Sequence, residues 1–207
     1  MDEPFSCALL LLAAGSSRRM GRPKQLLPVG DRPLLRRVIE ASIGASVQPV
    51  IVVLGSNAVE IKPTLEGLPV QVVVNENWSE GMGSSIRKGM EAIKASVSGV
   101  GGVIIALGDQ PDFSAAHIAR LLSAHRETGR SIVASRQEGK LVPPVFFSAA
   151  YFPALLVLRG DAGARAILQT QSAEVTTVEI TGLVDLDTPQ DYANYLTRLN
   201  ATGPGSG

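Results

Sequence analysis

The sequence has little net charge. Its 19 lysines and arginines balance 19 aspartates and glutamates, so the formal net charge at pH 7 is zero. A chain without a global field of either sign offers no general attraction to nucleic acid or to an anionic membrane, and any anion must be bound locally. We therefore expect neither a nucleic acid nor a membrane as a partner.

Cysteine is also scarce, and no long apolar run stands out. A lone cysteine, Cys7, excludes an intramolecular disulfide and a cysteine-based metal site, so we expect a small buried residue there. The first apolar run, residues 8–14, is too short to span a bilayer. Asp2 and Glu3 precede it, where a signal peptide would carry positive charge. These features predict a cytoplasmic protein.

The order of apolar segments predicts the fold class. Short apolar runs that indicate strands cover residues 8–12, 50–54, 70–74, 103–107, 131–134 and 175–180. Segments with helical spacing cover residues 34–46, 58–65, 82–95, 114–127, 162–170 and 189–199. This alternation predicts an α/β fold, a single doubly wound, mostly parallel sheet with helices on both faces. We expect one domain over residues 1–200 and a flexible tail over residues 201–207.

One segment, residues 136–144, interrupts the alternation. Because Pro143 and Pro144 cannot donate ladder hydrogen bonds, we expect an antiparallel or edge strand there. In a doubly wound sheet, ligands bind beyond the carboxyl ends of the strands. The loops after Leu12, Val74 and Leu107 should therefore converge on one cleft.

The loop after the first strand has the composition of a phosphate site. Residues 9–24 read LLLLAAGSSRRMGRPK, and the small residues at Ala13, Ala14 and Gly15 let backbone N–H groups approach a ligand closely. Arg19 and Lys24 supply the charge that a triphosphate requires. The spacing differs both from a P-loop and from a dinucleotide fingerprint. The loop predicts a nucleoside triphosphate site rather than an ordinary solvated turn.

Two acidic segments could hold a metal. Asp109 follows the strand at residues 103–107, where a magnesium ion that bridges phosphate oxygens would need a hard oxygen ligand. An aspartate that caps a turn would look alike. Asp185 and Asp187 alternate along an extended segment and point to the same side, so either could reach the cleft, unless both belong to the turn before the last helix.

Two further segments carry candidate binding residues. Gly81 permits a close backbone approach, and Ser85 near a helix start offers a hydroxyl to a base edge or a phosphate, although an ordinary helix start would look similar. Farther along, Asp161 is a reasonable N-cap, and Arg165 could pair with it.

These segments together resemble the molybdenum cofactor nucleotidyltransferases. The first loop matches the family's L-x-A-A-G-x-S-x-R-M-G-x-x-K signature, residues 75–85 match N-x-x-W-x-x-G-M-x-x-S, and residues 158–165 match L-x-G-D-x-G-A-R. A looser match to G-x-P-x-x-F covers the segment around Pro144. The resemblance runs from Leu9 to Tyr192. Because Ala14 stands where the guanylyltransferases usually carry glycine, the chain is similar to the cytidylyltransferase branch.

The resemblance implies a fold of the nucleotide-diphospho-sugar transferase type and transfer of CMP from CTP to the terminal phosphate of molybdopterin, with Mg²⁺ as cofactor. It implies catalytic roles for Arg19, Lys24 and Asp109 and metal ligation by Asp109 and Asp187, with Asp185 as the rival of Asp187. The implied nucleotide-binding residues are Leu12, Ala13, Ala14, Gly15, Ser17, Arg19, Lys24, Gly81 and Ser85. The implied acceptor-binding residues are Pro144, Asp161 and Arg165.

Two other functions stay open from the sequence. One is nucleotidyl transfer to a different phosphorylated small molecule, and the other is a noncatalytic accessory role toward a molybdoenzyme. The expected partners are CTP, a molybdopterin-type acceptor and a molybdoenzyme or its maturation factor. An oxidoreductase with a nicotinamide site is disfavoured because the dinucleotide fingerprint is absent from the sequence.

Overall fold

The computed structural model describes residues 5–45 and 47–202. The last helix includes Ala201 and Thr202, so the first two residues of the predicted tail are helical. The rest of that predicted tail, residues 203–207, lies outside the described residues, as does Ser46 at the end of one predicted helix.

A seven-stranded sheet forms the centre of the molecule, with the strand order β5-β4-β1-β6-β8-β7-β9. All neighbours pair in parallel except β8, which is antiparallel to β6 and β7. The predicted doubly wound, mostly parallel sheet is thus confirmed. The seven strands are β1 (Cys7–Ala13), β4 (Val50–Leu54), β5 (Gln71–Val74), β6 (Gly102–Leu107), β7 (Ile132–Gln137), β8 (Lys140–Ser148) and β9 (Val175–Glu179). A separate two-stranded ribbon consists of β2 (Pro28–Val29) and β3 (Arg32–Pro33).

Within residues 5–45 and 47–202, seven α-helices accompany the sheet. They are α1 (Leu34–Ile43), α2 (Ala58–Ile61), α3 (Met82–Ser96), α4 (Ala115–Thr128), α5 (Phe152–Leu155), α6 (Arg165–Thr170) and α7 (Pro189–Thr202). The helix predicted over residues 58–65 continues beyond α2 as a 3-10 helix, Lys62–Leu65. Within the described residues, no helix is long and apolar enough to cross a membrane.

Strand β1 is buried on both faces, and its alternate residues serve two separate cores. Leu9 and Leu11 pack in one cluster with residues of α1, α4 and α7. Leu10 and Leu12 pack in the other with residues of α3, α5 and α6. Successive side chains of a strand point to opposite faces, so one apolar run can anchor helices on both sides of the sheet. Burial at the start of β1 also raises the pKa of the Cys7 thiol to about 12, as expected of an inert buried cysteine.

Strand β8 corrects one alternative of the sequence prediction. It is antiparallel, as expected, but it lies between β6 and β7 rather than at an edge. Its register with β7 shifts from Ala134–Val145 to Ser135–Val142, so the two prolines fall in a bulge and no ladder hydrogen bond is required of them. The Ser135 hydroxyl donates to the Pro144 carbonyl oxygen at 2.7 Å inside this bulge. A bulge therefore lets prolines occupy an interior strand.

Candidate active site

The loop after β1 turns sharply at two residues with left-handed backbone. Ser17 has φ 54° and Gly21 has φ 72°, and they flank a short 3-10 helix, Arg18–Met20. The Ser17 hydroxyl accepts a hydrogen bond from the Lys24 N–H at 3.1 Å and donates one to Gln25 Oε1 at 3.4 Å. Ser17 was predicted to bind nucleotide, and the structure gives its hydroxyl this role in fixing the loop.

Free backbone donors line this loop. In the part of the chain that the structure describes, the N–H groups of Gly15, Ser16 and Ser17 donate no intramolecular hydrogen bond. All three residues line the cavity described below. Successive free N–H groups in a tight turn form a concave site for an anion. The loop can therefore bind phosphate oxygens through its backbone.

Gln25 holds the loop in this shape, and the sequence analysis did not identify it. Its side chain is buried, and Nε2 donates to the carbonyl oxygens of Ala13 at 2.8 Å and of Gly15 at 3.3 Å. These bonds join the end of β1 to the turn that follows. The available signal was a polar residue directly before the apolar pair Leu26 and Leu27.

A charged cluster at the carboxyl ends of the strands joins residues from three distant segments. The Lys24 ammonium donates to Asp109 Oδ2 and, at 2.8 Å, to Asp187 Oδ1. Arg19 Nη2 donates to Asp187 Oδ2 at 2.6 Å, which joins residues 168 positions apart. The structure thus brings together the four residues predicted to supply catalysis and metal ligation.

The ionisation of the cluster follows from its burial and its partners. Burial raises the pKa of Asp109, because the nearby Lys24 only partly offsets the cost of removing a carboxylate from water. Burial also disfavours the charged form of Lys24, but Asp109 and Asp187 outweigh it and raise the pKa of the ammonium. The half-exposed Asp187 has a lowered pKa, because hydrogen bonds from Lys24 and charge from Arg19 overcome its partial burial. At neutral pH Lys24 is therefore an ammonium ion.

Asp185 and Asp187 have different partners. Asp185 Oδ1 accepts a hydrogen bond from Gln110 Nε2 at 2.9 Å, whereas Asp187 contacts Lys24 and Arg19. The Leu186 N–H donates to the Asp109 carbonyl oxygen at 3.1 Å, so the two acidic segments run side by side. Both aspartates reach the cavity, but Asp187 is the one that shares Lys24 with Asp109.

The carboxylates of this cluster are candidate ligands for a metal ion. Across the described residues, no group of three His, Cys, Asp or Glu side chains is arranged to hold a metal ion. Mg²⁺ needs fewer protein ligands, since one or two carboxylates with substrate phosphates and water satisfy it. Asp109 Oδ1 is buried and has no hydrogen-bond partner in the described part of the chain, which leaves one hard oxygen available. The residues fit a cation that is shared with phosphates rather than enclosed by protein.

A cavity of about 710 Å³ opens over this cluster. All nine residues predicted to bind nucleotide line it, together with Asp109, Asp161, Asp185 and Asp187. Its remaining lining residues are Ser16, Arg18, Gln25, Trp78, Ser79, Met82, Leu107 and Gly108. Loops after β1 and β6 and the start of α3 thus converge on one cleft, as the sequence predicted.

The start of α3 forms another part of the cavity lining. Gly81 has φ 100°, and a Cβ there would come within 2.6 Å of the Gly160 carbonyl carbon and would overlap the Asp161 carboxylate. Asn75 Nδ2 donates to the buried Ser85 hydroxyl at 3.0 Å and orients it. Asn75 was not singled out from the sequence, because its partners become neighbours only in the fold.

Ala14, which also lines the cavity, packs tightly beside Trp78. Gly55 makes this possible, since a Cβ at that position would lie 2.7 Å from Trp78 Cβ and 2.8 Å from Ala14 Cβ. The Ser56 N–H also donates to the Ala14 carbonyl oxygen at 3.1 Å. The segment that follows β4 therefore holds Ala14 in place and leaves its methyl group little space to shift.

The predicted acceptor-binding residues are more scattered. Asp161 lines the cavity, whereas Pro144 and Arg165 are not among its lining residues in the described chain. Pro144 is buried in the bulge of β8, and Arg165 is exposed at the first turn of α6. In the described ranges no hydrogen bond or ion pair joins Arg165 to Asp161, and the N-cap of α6 is Ala164 rather than Asp161.

Comparison with known proteins gives consistent matches. A family model described as the MobA-like NTP transferase domain matches residues 9–175. Nicotine blue oxidoreductase of Paenarthrobacter nicotinovorans is 35% identical over 176 residues, which are 81% of this chain and 84% of that protein. Purine catabolism protein PucB of Bacillus subtilis strain 168 is 31% identical over 93% of this chain and 96% of its own length. The crystal structure of Rv0371c from Mycobacterium tuberculosis H37Rv in complex with manganese has a TM-score of 0.77 at 27% identity, covering 93% of this chain and 98% of that one.

Proposed function

The chain belongs to the MobA-like NTP transferase domain family and is a nucleotidyltransferase, and from this premise we propose that it transfers CMP from CTP to the terminal phosphate of molybdopterin. The observation that carries the proposal is the cluster of Lys24 with Asp109 and Asp187, next to a loop with free N–H groups. Cations and backbone donors at one end of the cavity suit a triphosphate. The start of α3, where Gly81 and Ser85 line the cavity, suits a nucleobase.

The residues of the cavity divide the reaction between them. In the proposed mechanism Arg19 and the N–H groups of Gly15 to Ser17 hold the β and γ phosphates, and Lys24 neutralises charge at the α phosphate. The acceptor phosphate oxygen bonds to the α phosphorus while the bond to the pyrophosphate oxygen breaks. A phosphate monoester is already anionic near neutral pH, so no general base is required. Catalysis rests on alignment and charge neutralisation.

We assign Asp109 and Asp187 as the residues that hold magnesium. When bound, a divalent cation neutralises the phosphate oxygens and orients the triphosphate. The unpartnered Asp109 Oδ1 supports this assignment. The manganese complex of Rv0371c supports the use of a divalent cation. Asp187 is preferred to Asp185 because it shares Lys24 with Asp109, whereas Asp185 Oδ1 bonds to Gln110 instead.

Preference for CTP is assigned to Ala14. This residue is buried and is confined by Gly55 and Trp78, so its methyl group narrows the wall of the cavity against a purine. A shape difference of this kind discriminates by about 1–3 kcal/mol, which leaves GTP a poor substrate rather than an excluded one.

The test combines the purified chain, Mg²⁺ and molybdopterin with each of the four nucleoside triphosphates in turn, and follows pyrophosphate release and product mass. We expect release with CTP and a product heavier by one CMP. Equal turnover of CTP and GTP would remove the role of Ala14. Release that occurs only with a sugar phosphate or an isoprenoid phosphate would assign a different acceptor.

A redox control belongs in the same experiment, because one relative is named as an oxidoreductase. We expect no oxidation of NADPH in the presence of a dye acceptor. NADPH oxidation without pyrophosphate release would overturn nucleotidyl transfer as the activity of this cavity.

We further propose that the product is passed to a cytoplasmic molybdoenzyme or its maturation factor. To test this, a molybdoenzyme prepared without its cofactor is incubated with the reaction mixture, and recovery of its activity is measured.

A further inference from the structure

The Lys24 ammonium lies between the two carboxylates assigned to the metal. It donates to Asp109 Oδ2 and to Asp187 Oδ1, the second bond being 2.8 Å long. The Lys24 and Asp109 side chains are 14% and 16% exposed, so water screens this pair weakly. One internal ammonium thus bonds to both carboxylates and offsets part of their negative charge.

A second cation cannot join this arrangement without cost. A metal ion on Asp109 or Asp187 would lie within a few ångströms of the ammonium, and like charges at that distance repel strongly in a partly buried site. The flexible four-carbon stem of lysine allows the ammonium to move to another partner. A triphosphate beside the loop provides that partner, because its oxygens are anionic.

We infer that Lys24 acts as an internal substitute for the metal, keeping divalent cations off Asp109 and Asp187 until a triphosphate draws its ammonium away. Metal binding is then coupled to nucleotide binding through one side chain. This inference rests on the assignment of Asp109 and Asp187 in the proposed function, and it adds a blocking role for Lys24 to its catalytic one.

The first measurement is Mn²⁺ binding to the full chain without nucleotide, from the electron paramagnetic resonance signal of free Mn²⁺. Lys24→Met should bind Mn²⁺ about tenfold more tightly than the wild type, because a repelling charge is removed. Lys24→Arg keeps the charge and should bind as weakly as the wild type. Lys62→Met removes an exposed lysine outside the cavity and serves as the matched control.

The second measurement repeats the titration with the nonreactive analogue α,β-methylene CTP. The wild type should now bind Mn²⁺ much more tightly, whereas Lys24→Met should gain less from the analogue. Equal Mn²⁺ affinity of the wild type and Lys24→Met without nucleotide would overturn the inference. So would an equal gain from the analogue in both proteins.

Two further variants keep the result interpretable. Adding Asp109→Asn to Lys24→Met should abolish the gain in affinity, and a retained gain would place the ion elsewhere and overturn the inference. If Lys24→Met is poorly stable, Lys24→Gln replaces it, and the rise in melting temperature on adding Mn²⁺ should exceed that of the wild type. Pyrophosphate release by the wild type tests the proposed function separately, so either claim can fail alone.

Discussion

Two parts of the cavity differ in how firmly their residues are held: the phosphate end, at the loop after β1, and the acceptor end that we propose around Asp161. At the phosphate end, Arg19, Lys24, Asp109 and Asp187 contact one another, and Gln25 ties the loop to β1. At the acceptor end, only Asp161 of the three predicted residues reaches the cavity, and it is exposed. Mutual contacts hold the phosphate end, as charge neutralisation in the proposed transition state requires, and only the Lys24 ammonium is inferred to change partner. At the proposed acceptor end, contacts would form only with a bound substrate.

The most severe test of this difference is Asp109→Asn. The substitution removes a charge from the phosphate end but keeps the size of the side chain, so we expect turnover in Mg²⁺ to fall about a thousandfold while the protein stays folded. Steady-state kinetics with saturating CTP and circular dichroism check the two parts. Asp31→Asn, at an 86% exposed carboxylate outside the cavity, is the control and should leave turnover unchanged. Normal turnover of Asp109→Asn would show that the preorganised cluster is not catalytic.

Gly81→Ala tests the contact between the start of α3 and residues 160 and 161 of the proposed acceptor end. Gly81 has φ 100°, and a Cβ there would meet the Gly160 backbone and the Asp161 carboxylate. A methyl group would therefore add a clash to the backbone strain. We expect a loss of about 1–3 kcal/mol in the free energy of unfolding. Gly182→Ala, at φ 82° with open space around it, carries the strain alone and should cost less. Equal losses in urea denaturation would mean that the contact with residues 160 and 161 adds nothing.

The predictability of the site follows the same division. Lys24 was predicted from the charge and signature of the first loop, Asp109 from its place after a strand together with the family resemblance, and Asp187 from that resemblance. The topology of a doubly wound sheet brings these segments together. Gln25 was missed, and Asn75, although it is the first residue of the matched N-x-x-W-x-x-G-M-x-x-S segment, was given no role. Both roles depend on which carbonyl or hydroxyl groups become neighbours in the fold.

For the fold, the same limit appears at β8. The apolar alternation predicted the parallel strands, because helical segments separate most of the apolar runs. The prolines correctly marked an irregular antiparallel strand, but its interior place between β6 and β7 depends on pairing with residues far along the chain. The two prolines suggested an edge strand because the sequence alone does not show the bulge that accommodates them.

Gln25→Met measures how much of the preorganisation comes from a residue that touches no reacting atom. It leaves the carbonyl oxygens of Ala13 and Gly15 without their donor, so the loop should relax and the KM for CTP should rise about tenfold. We expect kcat at saturating CTP to change much less. Gln190→Met, at an exposed glutamine of α7, is the control. A fall in kcat with unchanged KM would contradict a positioning role.

The smallest effect is expected at the acceptor end, from Arg165→Ala. Arg165 is exposed, does not line the cavity and, within the described residues, does not bond to Asp161. If it meets the acceptor phosphate as that substrate binds, its loss removes one exposed charge contact, and the KM for the acceptor should rise severalfold with CTP binding unchanged. Acceptor kinetics and calorimetric CTP titration measure the two quantities on the same protein.

Asp161→Ala is the partner experiment, because Asp161 does line the cavity and also packs beside Gly81. We expect it to alter acceptor KM more than Arg165→Ala does, and to leave the melting temperature nearly unchanged since the residue is exposed. If Arg165→Ala instead lowers the melting temperature with normal acceptor kinetics, Arg165 supports the start of α6 only. An unchanged acceptor KM in both variants would mean that residues 158–165 do not bind the acceptor. The acceptor end would then have no assigned residue in this segment.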